Sequence, residues 1–403
     1  MKILLVTGNY LPAKSGGIEN YVHLLSKLLI QNGHVVHVAA LETFSVNEYV
    51  YDAVPVTSLL DCFLNFERLI ERGQFDICHF HEYSGKNGIN ITWFHAAKKK
   101  CKKVFFTFHL PYLTCYKADF RYFGLSDCNT FSSANRCANC VIATKLQYKG
   151  APGFNFKNSS IHFFLKVFSH TKYYTTLKKK ISVRQNELNE LINTCDEVFV
   201  IANWFKEILN ANRFISEKIK VIPSLITIPE GIRINISDKI QNRIVFVGRI
   251  ESQKGLLLLC KALKLNKSIT LKLDVFGNIT DQQYFNQCKN EFNFNYRGTM
   301  QRIDLLNELA EYDFMVVPSV APEMYPMAVK ESMLHSLPVI ASGSKGNLDL
   351  ISDTINGFIF EYGNYHNLAT IINKAYQYKI NGWRPKFSIP SDKDQAVLLS
   401  YYK

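Results

Sequence analysis

The chain has 403 residues, and 47% of them are hydrophobic, so it is long enough for two ordinary domains and too apolar to be disordered over most of its length. Lysine and arginine number 47 against 34 aspartate and glutamate, a formal net charge of +13 that favours anionic partners such as nucleotides, nucleic acid or an anionic membrane. No apolar run is long enough to cross a bilayer, and the apolar stretch at 3–6 is too short for a signal peptide. We therefore expect a cytoplasmic protein that contacts the inner face of the cytoplasmic membrane peripherally.

The first half of the chain alternates apolar strands with amphipathic helices, a pattern typical of a parallel α/β sheet. We predict a first domain over 1–222, with an insertion at about 111–174. Strands are predicted at 2–7, 34–40, 75–80, 103–108, 197–201 and 218–222, and helices from 18 to about 32 and from 178 to 193.

Gly16 and Gly17 stand in the loop between the first strand and the first helix. Because glycine has no Cβ, this pair lets backbone N–H groups approach a diphosphate or a reacting sugar. An ordinary tight turn is the alternative. The glycines do not form G-x-G-x-x-G, which gives little support to a nicotinamide or flavin site.

Four of the ten cysteines lie within the predicted insertion, and the last two form a C-x2-C pair. In a cytosolic chain this spacing favours a structural metal site, with thiolates around tetrahedral Zn²⁺. A reduced thiol cluster and disulfides are the alternatives. The candidate ligands are Cys115, Cys128, Cys137 and Cys140.

The tract 128–186 contains no aspartate or glutamate, and its lysines and arginines are interleaved with phenylalanine and tyrosine. Such a tract suits a membrane interface or single-stranded nucleic acid. The alternative is a solvated basic face with a packed aromatic side. We expect contact with anionic membrane and no nucleic-acid partner.

The second domain is predicted over 239–382, after a polar connection, and the tail at 383–403 is expected to pack back on the first domain. Its first strand, at 243–247, is followed by Arg249 and Lys254 and then by a helix predicted at 256–263. Arginine binds phosphate oxygens as a fork and lysine adds a point charge, so the two predict a compact anion site. Ordinary surface charge is the alternative.

The stretch 316–342 combines an apolar strand, a loop rich in proline, a short helix and a second strand. Glu323 lies in the loop, Glu331 lies in the helix, and Pro326 is expected in the first helical turn. A helix N-terminus attracts phosphate, and carboxylates accept hydrogen bonds from sugar hydroxyls. The combination suits a nucleotide sugar, whereas two solvated glutamates are the alternative, because one spacing is weak evidence.

Glu323-x7-Glu331, followed by the run LPVIA at 337–341, resembles the E-x7-E signature of glycosyltransferase family 4, whose members are retaining enzymes with the GT-B fold. The sequence GRIESQKG at 248–255 resembles the family's Gly-Arg-x4-Lys-Gly, and SGGIE at 15–19 resembles its Gly-Gly loop. Two positions depart from the pattern: Ser336 replaces the usual glycine before Leu-Pro, and Asp349 replaces the glutamate of Gly-Gly-x-x-Glu.

The resemblance implies two doubly wound, Rossmann-like parallel-sheet domains that face each other across a cleft. It implies transfer of a hexose from a UDP- or GDP-sugar to a glycan or lipid-linked acceptor, with retention, in cell-envelope or surface polysaccharide synthesis. No cofactor is then required for catalysis. The implied catalytic residues are Glu323 and His109, and the implied donor-binding residues are Gly16, Gly17, Arg249, Lys254, Thr299, Met327, Ala328 and Glu331.

Two other functions are compatible with these features. One is a nucleotide-sugar epimerase or hydrolase of similar fold, and the other is a basic aromatic protein that binds RNA or membrane without catalysis.

Glu82 is a further candidate for the acceptor side. His79 and His81 either bind metal or play a structural role, and we favour the structural role because no third ligand is evident. Some family 4 enzymes carry a similar Cys-rich insertion, which implies a shared structural role for the four cysteines.

Overall fold

The computed structural model describes residues 1–14, 16–41, 48–81, 90–124, 126–131, 133–148, 169, 171–214, 217–222, 225, 240–266, 268–324, 326–386 and 392–403. The chain forms two compact units: Met1–Leu225 together with Asp392–Lys403 forms the first, and Ile226–Ser391 forms the second. The last helix, Asp392–Ser400, thus belongs to the first unit. The predicted tail is divided, because its residues up to 391 belong to the second unit.

The strands of the first unit are β1 Lys2–Thr7, β2 Val35–Ala40, β3 Glu48–Tyr51, β4 Val54–Ser58, β5 Ile77–His81, β6 Lys103–Phe108, β7 Arg121–Tyr122, β8 Ser126–Asp127, β9 Glu197–Val200 and β10 Ile219–Val221. The helices of this unit are α1 Gly17–Gln31, α2 Phe63–Gly73, α3 Ile91–Lys100, α4 Ala134–Tyr148, α5 Lys172–Thr194 and α6 Asn203–Ala211. The unit is built on an eight-stranded sheet in the order β10-β9-β6-β5-β1-β2-β4-β3, in which only β3 and β4 pair antiparallel. A two-stranded ribbon, β7 with β8, lies in the predicted insertion.

The central strand β1 is covered on both faces, since every residue from Ile3 to Val6 is fully buried. A continuous apolar run is typical of a parallel strand between two layers of helices. Leu398 and Tyr402, from the end of the chain, are buried in the same core cluster as Ile3 and Leu5. The end of the chain therefore completes the core of the first unit.

The strands of the second unit are β11 Arg243–Val247, β12 Lys272–Phe276, β13 Asn295–Gly298, β14 Phe314–Val317, β15 Val339–Ser342 and β16 Gly357–Phe360. They form a six-stranded parallel sheet in the order β13-β12-β11-β14-β15-β16. This is the doubly wound order 3-2-1-4-5-6, so β11 and β14 flank the point at which the winding reverses. The predicted fold class is confirmed. The helices are α7 Leu256–Leu265, α8 Gln282–Glu291, α9 Arg302–Glu308, α10 Met327–Leu334, α11 Lys345–Leu348 and α12 Tyr365–Ile380, and the helix Asp392–Ser400 of the first unit is α13.

Several predicted elements differ from those observed, mostly at their ends. The strand predicted at 75–80 is β5, Ile77–His81, so His81 is its last residue. The helix predicted from 178 is α5, which begins at Lys172, where the Thr171 side chain accepts a hydrogen bond from the Tyr174 N–H. The hairpin of β3 and β4 was not predicted, because its strands are short and partly polar.

The loop after β11 approaches the loop after β14 so closely that one position admits only glycine. Gly255 has φ +77°, and a Cβ on it would lie 1.9 Å from the Pro318 carbonyl oxygen. A side chain here would meet both the left-handed backbone penalty and a backbone clash. Gly363 has a similar φ of +74°, but no atom lies within 4 Å of its Cβ position.

We expect Gly255→Ala to lower the free energy of unfolding by about 3 kcal/mol or more, because the Pro318 backbone must move. Gly363→Ala, in the same unit, carries the left-handed penalty alone and is expected to cost about 1 kcal/mol. Urea unfolding of both variants measures the difference. Equal losses in the two variants would contradict the close approach.

Candidate functional site

The loops that follow β11 and β14 meet at the carboxyl ends of these two strands, the place where doubly wound sheets bind ligands. Lys254 ends a 3₁₀ turn in the first loop, and Glu323 lies in the second. The Lys254 Nζ donates a hydrogen bond to the Glu323 Oε2 at 2.7 Å. Val320 N–H donates to the Gln253 carbonyl at 2.9 Å, so the backbones of the two loops are also joined.

A buried polar network holds the other oxygen of Glu323. The Ser319 hydroxyl donates to the Glu323 Oε1. The Ser342 hydroxyl donates to the Ser319 carbonyl at 2.8 Å, and the Asn347 amide donates to the Ser342 carbonyl at 3.1 Å. Gly346 permits this arrangement, because a Cβ on it would lie 1.8 Å from the Glu323 carbonyl oxygen. Ser319, which contacts the second oxygen of the Glu323 carboxylate, was not singled out by the sequence.

The charge of Glu323 is maintained by its neighbours. Burial alone would raise its pKa, but the Lys254 ammonium, the Ser319 hydroxyl and the more distant Arg249 together lower it below the usual value. The carboxylate is therefore ionised at neutral pH and acts as a hydrogen-bond acceptor only.

Arg249 is the more accessible of the two predicted phosphate-binding cations. Its side chain is 63% exposed, with Nη2 2.9 Å from the Glu251 Oε1, whereas the Lys254 side chain is 27% exposed. An exposed guanidinium in such a loop retains donors for an incoming anion, since it carries five N–H groups.

Helix α10 carries the second carboxylate and begins one residue later than expected. Pro326 is not inside the first turn; it precedes the helix in an extended conformation, and its carbonyl accepts from the Val329 N–H at 3.1 Å. The predicted donor-binding residues Met327 and Ala328 are the first two helical residues, and both are partly buried.

Glu331 is paired with a cation that sequence analysis missed. Arg302, the first residue of α9, donates from Nε to the Glu331 Oε1 at 3.1 Å, and the Glu331 side chain is 12% exposed. Burial raises the pKa of Glu331, and the Arg302 guanidinium opposes this shift. Thr299 is exposed in the loop between β13 and α9, so it lies close in sequence to Arg302.

The two departures from the family pattern have different structural settings. Ser336 has φ +53°, a left-handed conformation that glycine adopts without penalty, which explains why glycine is usual there. Asp349 is exposed and follows α11.

His109, the candidate in the first unit, is buried beyond the end of β6. Its Nε2 lies 3.2 Å from the Nδ1 of His81, and its ring centroid lies 4.8 Å from that of Tyr21. Burial lowers the pKa of His109 to about 3, so the imidazole is neutral.

Gly16 precedes α1 in an extended conformation, and Gly17 is the first helical residue.

His79 has a structural environment. Its Nδ1 lies 2.5 Å from the Tyr402 hydroxyl, and its Nε2 lies 2.7 Å from the Thr107 hydroxyl. Both ring nitrogens therefore have partners within the core, as the structural interpretation of this histidine expects.

Ser15, Glu82 and most of the basic aromatic tract beyond 148 lie outside the described residues.

The four cysteines of the insertion line one cavity with a volume of about 20 Å³, although they come from three different segments. In the described ranges, no three His, Cys, Asp or Glu side chains are already arranged as a metal-ligand set. Burial raises the pKa of Cys137 to about 12, so its thiol is protonated.

None of the helices that the structure describes is both long and apolar enough to span a bilayer.

We expect Lys254→Met to lower the free energy of unfolding of the second unit by about 2 kcal/mol at pH 7, less than for a fully buried pair because Lys254 is partly exposed. Without the ammonium, burial raises the pKa of Glu323 above its unfolded value, so the folded variant takes up a proton as the pH falls. In the native protein the pKa of Glu323 is lowered, so its stabilising contribution is lost as the pH falls.

Because of both effects, the difference in free energy of unfolding between the native protein and Lys254→Met should be smaller at about pH 4 than at pH 7. Urea unfolding of both proteins at the two pH values measures this difference. Lys264→Met is the matched control, because Lys264 forms a surface pair with Glu291 at 3.0 Å and its loss is expected to cost less than about 1 kcal/mol. A deficit that does not change with pH would contradict the role assigned to Lys254.

Comparison with known families covers both units. Residues 228–381 match the sequence model of the glycosyl transferases group 1, and residues 15–145 match that of Glycosyltransferase Family 4. A UDP-Gal:alpha-D-GlcNAc-diphosphoundecaprenol alpha-1,3-galactosyltransferase of Escherichia coli is 26% identical over 231 residues, 52% of this chain and 58% of that protein. An uncharacterised 41.2 kDa protein in the cps region of Klebsiella pneumoniae is 25% identical over 143 residues, 36% of this chain and 38% of its own. The matched region thus spans less than two thirds of either relative.

Solved structures show the same fold over the whole chain. The Anabaena protein HepE in complex with UDP superposes with a TM-score of 0.60 at 15% identity, covering 99% of this chain and 95% of its own. Sucrose-phosphate synthase from Thermosynechococcus elongatus gives a TM-score of 0.63 at 13% identity, covering 100% and 98%. Each unit therefore matches a glycosyltransferase sequence model, and the chain has the GT-B fold of these solved structures.

Proposed function

We propose that the protein transfers a sugar from a nucleoside diphosphate sugar to an acceptor hydroxyl and that the configuration at the anomeric carbon is retained. The observation that carries this proposal is the Lys254–Glu323 pair, because it puts an ammonium and an ionised carboxylate side by side where a doubly wound sheet binds ligands. An ammonium suits a phosphate, and a carboxylate suits sugar hydroxyls.

The leaving diphosphate would be neutralised by Arg249 and Lys254. The Lys254 ammonium has three donors and gives one of them to Glu323, so it retains capacity for phosphate oxygens. The N-terminal turn of α10, with Met327 and Ala328, would add the positive end of the helix dipole. These groups stabilise charge that develops on the leaving group, so no divalent metal is needed for that purpose.

The sugar and the ribose would be oriented by carboxylates and by a neutral imidazole. Glu323 and His109 would position the transferred sugar, and Glu331, with its carboxylate already fixed by Arg302, would accept hydrogen bonds from ribose hydroxyls. In this scheme no side chain acts as a nucleophile. The leaving phosphate assists the acceptor on the same face of the sugar, and positioning supplies most of the rate enhancement.

Two relatives support the substrate classes. HepE has been solved with UDP and with UDP-glucose, and the Escherichia coli relative is named as a galactosyltransferase acting on a diphosphoundecaprenol-linked sugar. We therefore propose a UDP-hexose donor and a lipid-linked acceptor for envelope or surface polysaccharide synthesis. The enzyme would work in the cytoplasm at the inner face of the membrane.

A thermal-shift panel of nucleoside diphosphates and their sugars tests donor binding. A ligand that binds only the folded state raises the free energy of unfolding, by about 2.7 kcal/mol at a ligand concentration 100 times its dissociation constant. The melting temperature rises as a result. We expect UDP and a UDP-hexose to raise the melting temperature and nucleoside monophosphates to do so much less, because they lack the second phosphate. The absence of any shift with UDP, GDP and their sugars would refute the proposal.

Removal of a donor-binding charge should abolish transfer without unfolding the chain. We expect Arg249→Ala and Glu331→Ala each to lower kcat/KM at least about 100-fold, which corresponds to roughly 2.7 kcal/mol of transition-state stabilisation. Arg384→Ala, which removes an exposed arginine of the same unit, is the matched control and should retain full activity. Normal turnover by either site variant would overturn the assignment of that residue.

A further inference from the structure

The insertion of the first unit brings together four cysteines that are separated in sequence. Cys115 follows a 3₁₀ turn at Pro111–Leu113, Cys128 follows β8, and Cys137 and Cys140 lie one helical turn apart on α4. All four line the same cavity of about 20 Å³. A cavity of this size holds about one water molecule or one ion of similar size.

We propose that this cavity is a structural zinc site with Cys115, Cys128, Cys137 and Cys140 as its four ligands. Four thiolates are the ligand set that tetrahedral Zn²⁺ takes in structural sites, and residues at i and i+3 of a helix lie on one face, as a C-x2-C pair of ligands requires. The inference concerns the stability of the insertion and does not depend on the proposed transfer activity.

The four thiols are not arranged as a ligand set in the described part of the chain, and each sulfur has a nearby oxygen acceptor. Cys128 Sγ lies 3.1 Å from the Thr130 carbonyl oxygen, Cys140 Sγ lies 3.6 Å from the Arg121 carbonyl oxygen, and Cys137 Sγ lies 3.8 Å from the Phe131 carbonyl oxygen. Cys115 Sγ lies 3.8 Å from the Asp119 carboxylate. A change of χ1 between staggered positions moves a cysteine sulfur by about 3 Å, so rotation of side chains can redirect sulfurs into the cavity. Each ligating thiol would release its proton to solvent as the metal binds.

The surroundings of the cavity suit a thiolate site. A Zn²⁺ ion with four thiolates carries a net charge of −2, and Lys117 and Arg136 both line the cavity. The Phe123 N–H already donates to the Cys140 sulfur at 3.2 Å, which would stabilise a thiolate. The adjoining ribbon of β7 and β8 has only two residues in each strand, too short to be stable alone, so a metal that joins its end to α4 would hold it in place.

The metal content of the untagged full-length chain tests the proposal. After exposure to a small excess of Zn²⁺ and desalting, elemental analysis should find about one zinc per chain in the native protein and in Cys62→Ser, whose cysteine lies outside the cavity. Cys137→Ser and Cys140→Ser should each lose most of this zinc. Less than about a tenth of a zinc per native chain, or full zinc in both cavity variants, would overturn the proposal.

A second measurement keeps the proposal testable if the cavity variants do not fold. Native protein stripped of zinc by a chelator and loaded with Co²⁺ should show thiolate-to-cobalt charge transfer and the intense visible bands of a tetrahedral site. Removal of the metal should also lower the melting temperature, and zinc should restore it. A six-coordinate cobalt spectrum, or an intact mass lighter by two hydrogens per bridge that indicates disulfides, would overturn it.

Discussion

The ion pair between Lys254 and Glu323 is the interaction on which the second unit's site depends. It joins the loops after β11 and β14, which flank the reversal point of the sheet. Taking both charges out of water is costly, and the cost is offset only when the remaining hydrogen-bonding capacity is satisfied. Ser319 supplies that partner for the carboxylate, and Gly255 and Gly346 let the backbones come close enough for the contacts to form.

Both glutamates of the E-x7-E pattern are held by cations from other elements. Lys254, after β11, pairs with Glu323, and Arg302, after β13, pairs with Glu331. Residues that follow the carboxyl ends of β11, β13 and β14 therefore meet at the same end of the sheet. Because the two carboxylates are fixed before a substrate arrives, little ordering of side chains would remain to be done on binding, which is the physical basis of preorganised catalysis.

The first unit shows a comparable dependence on distant contacts. His79 and His81 lie on β5, His109 directly follows the neighbouring strand β6, and Tyr402, which follows α13, contacts His79. Tyr402 thus contacts one of three buried, neutral imidazoles after the chain has passed through the whole second unit. A neutral imidazole can both donate and accept, which suits a residue that orients hydroxyl groups.

Local patterns determined the fold class, since apolar strands such as β1, β6 and β11 and the amphipathic helix α1 are encoded by residues close in sequence. The strand–loop–helix pattern also singled out Arg249 and Lys254, whereas Glu323 and Glu331 were identified by their spacing together with the family resemblance. The pairing of Arg302 with Glu331, the Ser319–Ser342–Asn347 network and the contact of Tyr402 with His79 were decided only by the tertiary structure. These contacts join residues that are far apart in sequence or carry no local signal, and their partners are set by strand order and close backbone approach, which no sequence spacing records.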